Sequence, residues 1–375
     1  MPVHCSSVHG REVHEGKVDS EMASNATGYG SSILGYPRIG TRRELKRALE
    51  AYWHGTGTRD ELVAVAREIQ EDTWSELAAT GLTQVPPGNT FSYYDHVLDN
   101  ALLFGAVPPE RFRPPLVGEL DPLDFYFTLC RGREDFPPLE LVRWFGSNYH
   151  YRQPELDENT VFALNSAAVL DEFERAKAKG IELRPVVLGP VSLLLLSKIS
   201  PTSQKDGFST LDLLDALLPE YEKLFEQLAK AGATCVQLDE PSFTEDRSED
   251  ELAALKRAYD VLSQAPLRPR LLVTGPYGHL GAALPILAAS KVEAIGLDLI
   301  NGRINADELA AVPGLKRKRI YAGGRRRPQR VARRPASRPR VSRLDRRGRA
   351  GPGRVDVVLV AARALRPARR IRHSR

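Results

Sequence analysis

Cys235-Val236-Gln237-Leu238-Asp239-Glu240-Pro241 is the stretch on which the fold turns. A short run of strand type meets two carboxylates and a proline, so an extended segment stops at a polar edge. The pattern recurs. Other apolar runs end in Tyr94-Asp95-His96, Asn148-Tyr149-His150-Tyr151, Leu188-Gly189-Pro190 and Thr274-Gly275-Pro276. Strand candidates cover 33–36, 91–95, 148–151, 185–189, 234–239, 271–275, 292–297 and 319–323, with amphipathic helices between most of them, such as 42–53, 59–79, 211–231 and 250–263. Alternating β and α predicts a parallel sheet, and eight strands is the count of a (βα)8 TIM-type barrel. In a barrel the polar strand ends would gather at the C-terminal mouth. An open doubly wound sheet is the alternative. The long spacing between the second and third candidates predicts an insertion there.

Bulk properties agree with one large barrel. The 375 residues are 42% hydrophobic. No apolar run approaches the roughly 18 residues that cross a membrane, and residues 1–30 lack the apolar centre of a signal peptide. Cys5, Cys130 and Cys235 form no CxxC, which points to a reducing, cytoplasmic setting. The net charge of +5 conceals two opposed segments. Residues 325–375 hold 19 Arg, no Lys and the acids Asp345 and Asp356, a net of +17. Residues 1–324 hold 34 Lys and Arg against 46 Asp and Glu, a net of −12. The chain thus reads as a disordered polar extension (1–30, with Met22 as an alternative start), a barrel (31–324) and a disordered Arg-rich tail (325–375). The tail replaces the eighth helix, leaving the barrel incomplete there.

Several constellations could carry chemistry. Gly35-Tyr36-Pro37-Arg38-Ile39-Gly40-Thr41-Arg42-Arg43-Glu44-Leu45-Lys46 reads as a turn followed by a helix with a Thr41/Glu44 capping box. Its cations then surround a helix N-terminus, which suits a ligand with several carboxylates or phosphates; a solvated basic helix start is the plainer reading. Asp239 and Glu240 would project into a barrel mouth as an acid/base pair, or cap a loop. Arg143 beside Trp144 and Phe145, with Asn148 and His150 following, could hold a carboxylate while the rings stack on a flat heterocycle, or pack as an aromatic strand. Gly275 to Gly281 lacks the GxGxxG spacing of a phosphate loop. The His and Cys residues show no metal-ligand spacing, so no metal is expected on this chain.

Taken together, the Gly35–Gly40 and Arg43–Lys46 segments, Tyr94-Asp95-His96, Trp144-Phe145 with Asn148–Tyr151, Val187–Pro190 and Gln237–Pro241 occur in an order that resembles the N-terminal half of the cobalamin-independent methionine synthase family. The resemblance covers about residues 31–323. It implies enzymes of two (βα)8 barrels that move a methyl group from 5-methyltetrahydropteroyltri-glutamate to homocysteine, with zinc and homocysteine in the C-terminal barrel. The folate's glutamate tail would be held by Arg43, Glu44, Leu45, Lys46 and Arg143, the last standing where the family usually has Lys. It further implies that this chain alone has no catalytic residue, binds no zinc, and meets homocysteine only with a C-terminal barrel.

Beyond Gly324 the family continues with a segment like Val-Val-Asp-Gly-Arg-Asn-Val-Trp-Arg. A one-nucleotide shift in GC-rich codons turns such a segment into the Arg-rich one found here, so the tail reads as a change of frame. Two rival functions stay open. One is a nucleic-acid-binding protein working through the tail, against which the tail's lack of aromatics argues. The other is a stand-alone barrel methyltransferase using Asp239 and Glu240.

Overall fold

The computed structural model describes residues 29–107, 121–134, 136–324 and 357–361. The strands are β1 Tyr29–Ser32, β2 Pro87–Gly88, β3 Leu141–Arg143, β4 His150–Arg152, β5 Glu155–Leu156, β6 Arg184–Leu188, β7 Lys198–Ile199, β8 Cys235–Asp239, β9 Arg270–Gly275, β10 Ala294–Asp298, β11 Arg319–Gly324 and β12 Val357–Ala361. The helices are α1 Glu44–Trp53, α2 Arg59–Ala79, α3 His96–Leu103, α4 Pro122–Arg131, α5 Ala167–Ala178, α6 Pro190–Leu196, α7 Leu214–Ala231, α8 Glu249–Leu262, α9 Ala283–Ala289 and α10 Ile304–Ala311.

Eight strands form one sheet in the order β1-β12-β11-β10-β9-β8-β6-β2, and every pair is parallel. That is chain order wrapped so that the last strand lies beside the first, the cyclic order of a (βα)8 barrel. Between β1 and β2 the ladder is replaced by the chain just ahead of β2. The Ser31 carbonyl accepts from Thr83 N and Gln84 N at 3.2 Å, and Ser31 N donates to Thr83 Oγ1 at 2.7 Å. The barrel reading therefore holds over the doubly wound one.

Four strand assignments change. The first strand is Tyr29–Ser32 and precedes 33–36. Residues 91–95 are a loop, because the Tyr126 hydroxyl takes the N–H groups of Tyr94 (3.0 Å) and Asp95 (3.3 Å). Residues 148–151 contribute β4, which pairs antiparallel with β3 outside the barrel sheet. Arg319–Gly324 is the seventh barrel strand, and the eighth is Val357–Ala361, inside the stretch expected to be disordered. The rest of 325–375, where the eighth helix would fall, and residues 1–28 lie outside the described residues. The predicted insertion is α3, α4 and the β3–β4 hairpin.

The main core lies between sheet and outer helices. Leu217, Tyr221, Phe225 and Leu228 of α7 and Leu255 and Tyr259 of α8 cover Val187, Val236, Leu271 and Ile295. A second core joins Leu45 and Leu49 of α1 to Leu62, Leu98, Tyr126 and Phe127. Inside the barrel, Arg184 donates to Gln237 Oε1 from Nε (3.1 Å) and Nη2 (3.0 Å). Gln237 Nε2 donates to Asp239 Oδ1 at 2.7 Å, and Thr274 Oγ1 donates to the same oxygen. Buried polar groups need such partners, and here they form a continuous chain up the barrel.

Candidate functional site

The start of α1 is not capped as expected. Arg43 is the N-cap in the left-handed region (φ 63°), without a side-chain cap bond, and Glu44 is already helical. Glu44 instead takes Arg42 N at 2.9 Å. Gly40 bends the chain at φ +80°, which sets the helix start two residues later than a Thr41 cap requires. True capping boxes form at Thr58/Glu61 and Ser248/Glu251. The consequence for binding is modest. Arg42, Arg43 and Lys46 remain exposed, and Lys46 lies 3.3 Å from Glu50. Leu45 is 1% exposed and anchors the helix in the second core, so its side chain faces away from solvent.

Arg143 sits at the end of β3, paired in register with His150. Its Nε donates to Ser147 O at 2.7 Å, and it lines a cleft of about 370 Å³ with Phe145, Tyr151, Ser242, Glu245 and Arg247. Asn148 and His150 are exposed on the hairpin. The hairpin is tied to the loop after β9 by Trp144 Nε1 donating to Tyr277 OH at 2.9 Å. Phe145 and Tyr277 stack at 5.6 Å, and both hold positive φ (44° and 83°), a conformation L-residues seldom adopt outside a constrained site. Among the described residues that line this cleft there is none from α1. The loop ahead of α1 and the hairpin are joined indirectly through residues 92–95: Arg38 Nη1 donates to Ser92 O at 3.0 Å, while Asp95 Oδ2 accepts Arg152 N at 3.0 Å and Asp95 Oδ1 caps α3 through Leu98 N at 2.8 Å. Burial pushes the Asp95 carboxyl up to about 6.

Asp239 and Glu240 diverge. Asp239 points into the barrel, onto Gln237 and Thr274, and burial raises its pKa. Glu240 is fully buried on the other side, accepting from Ser192 N (2.8 Å) and Tyr259 OH (3.0 Å), with burial raising its carboxyl to about 7. Alternation along a strand end sends the two carboxylates to opposite faces, so they do not converge on one reactant. Glu240 is a clamp joining β8 to α6 and α8. In the 275–281 loop Gly275 serves packing: a Cβ there would lie 2.3 Å from Leu280 Cδ2.

The chain matches the N-terminal domain of cobalamin-independent synthases over residues 30–324. It belongs to that family. Relatives named 5-methyltetrahydropteroyltriglutamate–homocysteine methyltransferase are 48% identical over 293 residues in Rhodococcus jostii and 48% over 294 in Streptomyces avermitilis. The Mycobacterium tuberculosis protein of that name is 46% identical over 294 residues. Each alignment covers 78% of this chain but 37% of the relative, so the chain spans little more than a third of their length. A B12-independent methionine synthase structure from Shewanella sp. aligns at TM-score 0.48 and 15% identity, covering 72% of each chain.

The family resemblance implies zinc in the full enzyme. Among the described residues no three of His, Cys, Asp and Glu gather as ligands. Cys130 is fully buried, its thiol pushed up by that burial, and Cys235 lies at the start of β8, the strand end away from the mouth. These donors do not fit a zinc site at the mouth, and no step is assigned to one. Among the described residues no helix is long and apolar enough to span a membrane. Arg247, which lines the Arg143 cleft, was not singled out from sequence; it sits in an acidic run, Thr244-Glu245-Asp246-Arg247-Ser248-Glu249, that disguises it as a solvated face.

Proposed function

We propose that this chain is a folate-tail-binding barrel of methionine biosynthesis. In this reading Arg43 and Lys46 at the start of α1, with Glu44 and Leu45 fixing that turn, and Arg143 in the hairpin cleft receive the carboxylates of 5-methyltetrahydropteroyltri-glutamate. The observation that carries it is the exposed cationic start of α1 held rigid by buried Leu45. The anchored turn sets where the two cations stand, and each charge-assisted contact to a carboxylate contributes about 1–2 kcal/mol. Asn148 and His150 lie on the same hairpin as Arg143 and are candidate further contacts.

Methyl transfer to homocysteine asks for an activated thiolate, because a free thiol near neutral pH is mostly protonated. We assign that step to a zinc-bearing barrel of the kind the resemblance implies, not to Asp239 and Glu240, whose divergence speaks against a stand-alone acid/base pair. A cytoplasmic setting fits the unpaired Cys130 and Cys235. Calorimetry with methyl-folate triglutamate tests the reading: Arg43→Ala/Lys46→Ala should weaken binding about 10- to 100-fold. Equal affinity of variant and parent would remove α1 from the site.

A further inference from the structure

We propose that the floor of the barrel, at the end opposite the mouth, binds a small, multiply charged oxyanion bearing carboxylate or phosphoryl groups. The starts of β6, β8, β9, β10 and β11 and residues 84–85 surround a cavity of about 380 Å³ there. Its volume lies in the range of small-molecule sites. Among the described residues the charged lining consists of Arg184, Arg270, Lys316, Arg317, Lys318 and Arg319, with Glu293 as the acid; Arg319 is itself engaged, its Nη1 donating to Gln84 Oε1 at 3.4 Å. That acid is already engaged. Its two oxygens accept from Arg268 Nη2 and Nη1 at 2.9 and 3.0 Å, and Oε2 also takes Leu271 N at 2.8 Å. Arg270 and Lys318 are held by backbone carbonyls, of Thr234 in the first case and of Ser290 and Val292 in the second. Lys316 and Arg317 are exposed and have no carboxylate partner among the described residues.

The second observation is Arg184. It is 1% exposed, yet its five hydrogen bonds go to neutral acceptors: Ser32 Oγ, Val85 O, Ile33 O and, twice, Gln237 Oε1. Asp239 is reached only through Gln237. A guanidinium taken out of water costs several kcal/mol unless a negative charge accompanies it. Burial lowers its pKa in keeping with that penalty. Asp239, one residue further along that hydrogen-bond chain, offsets only part of this cost. An anion seated in the floor adds negative charge near Arg184, whose five N–H groups are already used. The anion is itself contacted by Lys316 and Arg317, whose ammonium and guanidinium groups match carboxylate and phosphoryl oxygens alike. The floor of such a barrel ordinarily serves stability rather than chemistry, so the expected result of occupancy is a stiffer, more stable barrel. This site is independent of the folate reading, which concerns the opposite face.

The full chain would be titrated calorimetrically with citrate and with pyrophosphate, and melted in their presence, against sodium chloride at matched ionic strength. Saturable binding of either probe with a raised melting temperature is expected, and the probe that binds names the ligand chemistry. Lys316→Gln/Arg317→Gln, at two exposed positions outside the core, should bind at least about tenfold more weakly. Arg143→Ala, at the mouth, should bind like the parent. No binding above the salt control, or equal binding by the Lys316/Arg317 variant, would overturn the proposal.

Discussion

Gly189→Ala is expected to be far more damaging than its single methyl suggests. A Cβ at Gly189 would lie 2.1 Å from Glu240 Oε1 and 2.2 Å from its Cδ. Glu240 cannot swing aside cheaply, because it is fully buried and held by Ser192 N and Tyr259 OH. Moving it breaks two hydrogen bonds to a buried acid, at about 1.5 kcal/mol or more each, and overpacks a tight junction by about 1–3 kcal/mol. The sum is about 4–6 kcal/mol, or roughly a 10–15 °C drop in melting temperature for a domain of this size. Urea unfolding of parent, Gly189→Ala, Glu240→Ala and the double variant forms a cycle. With the carboxylate gone, the Gly189 substitution should cost under about 1 kcal/mol. A cost below about 1 kcal/mol in the parent background, or an equal cost in both backgrounds, would refute the clamp assigned to Glu240.

Other outcomes follow from the same contacts. Because burial raises the Glu240 carboxyl from 4.5 to about 7, the folded chain binds this proton more tightly than the unfolded chain. Its contribution is therefore fully present below about pH 4.5 and is lost as pH rises through 7, on the order of 3 kcal/mol; Glu240→Gln should flatten that part of the stability–pH curve, and an unchanged curve counts against it. Thr58→Ala removes a formed capping box and should cost about 1 kcal/mol, whereas Thr41→Ala, where no box forms, should stay within about 0.5 kcal/mol in chemical denaturation. Tyr277→Phe deletes the acceptor of Trp144 Nε1 and should alter Trp144 fluorescence while costing about 1–2 kcal/mol; an unaltered spectrum would show the hairpin is not tied there.

Much of the barrel was legible because period and punctuation agree in its second half. Val236, Leu238, Leu271, Val273, Ile295 and Leu297 lie in short runs that end in polar residues, and all become buried on strands of the sheet. The first half was harder to read. Strand β2 is two residues long, and the aromatic run 91–95 has strand propensity but is tied down as a loop by the Tyr126 hydroxyl, a partner more than thirty residues away. Residues 148–151 do contain a strand, yet its pairing is with β3 rather than the barrel, and periodicity carries no information about partners. Val357–Ala361 was hidden by the Arg-rich composition around it. At the site, the cations of α1 and Arg143 were visible as residue types, but the left-handed Arg43, Phe145 and Tyr277 were not, since none is a residue that favours that conformation.

Calorimetry on the parent chain with methyl-folate triglutamate and with the monoglutamate measures whether the proposed site holds a glutamate tail. Binding through Arg43, Lys46 and Arg143 predicts affinity at least about tenfold higher for the triglutamate, a preference that shrinks as salt is raised. Equal affinity for the two, or a preference indifferent to salt, would contradict it.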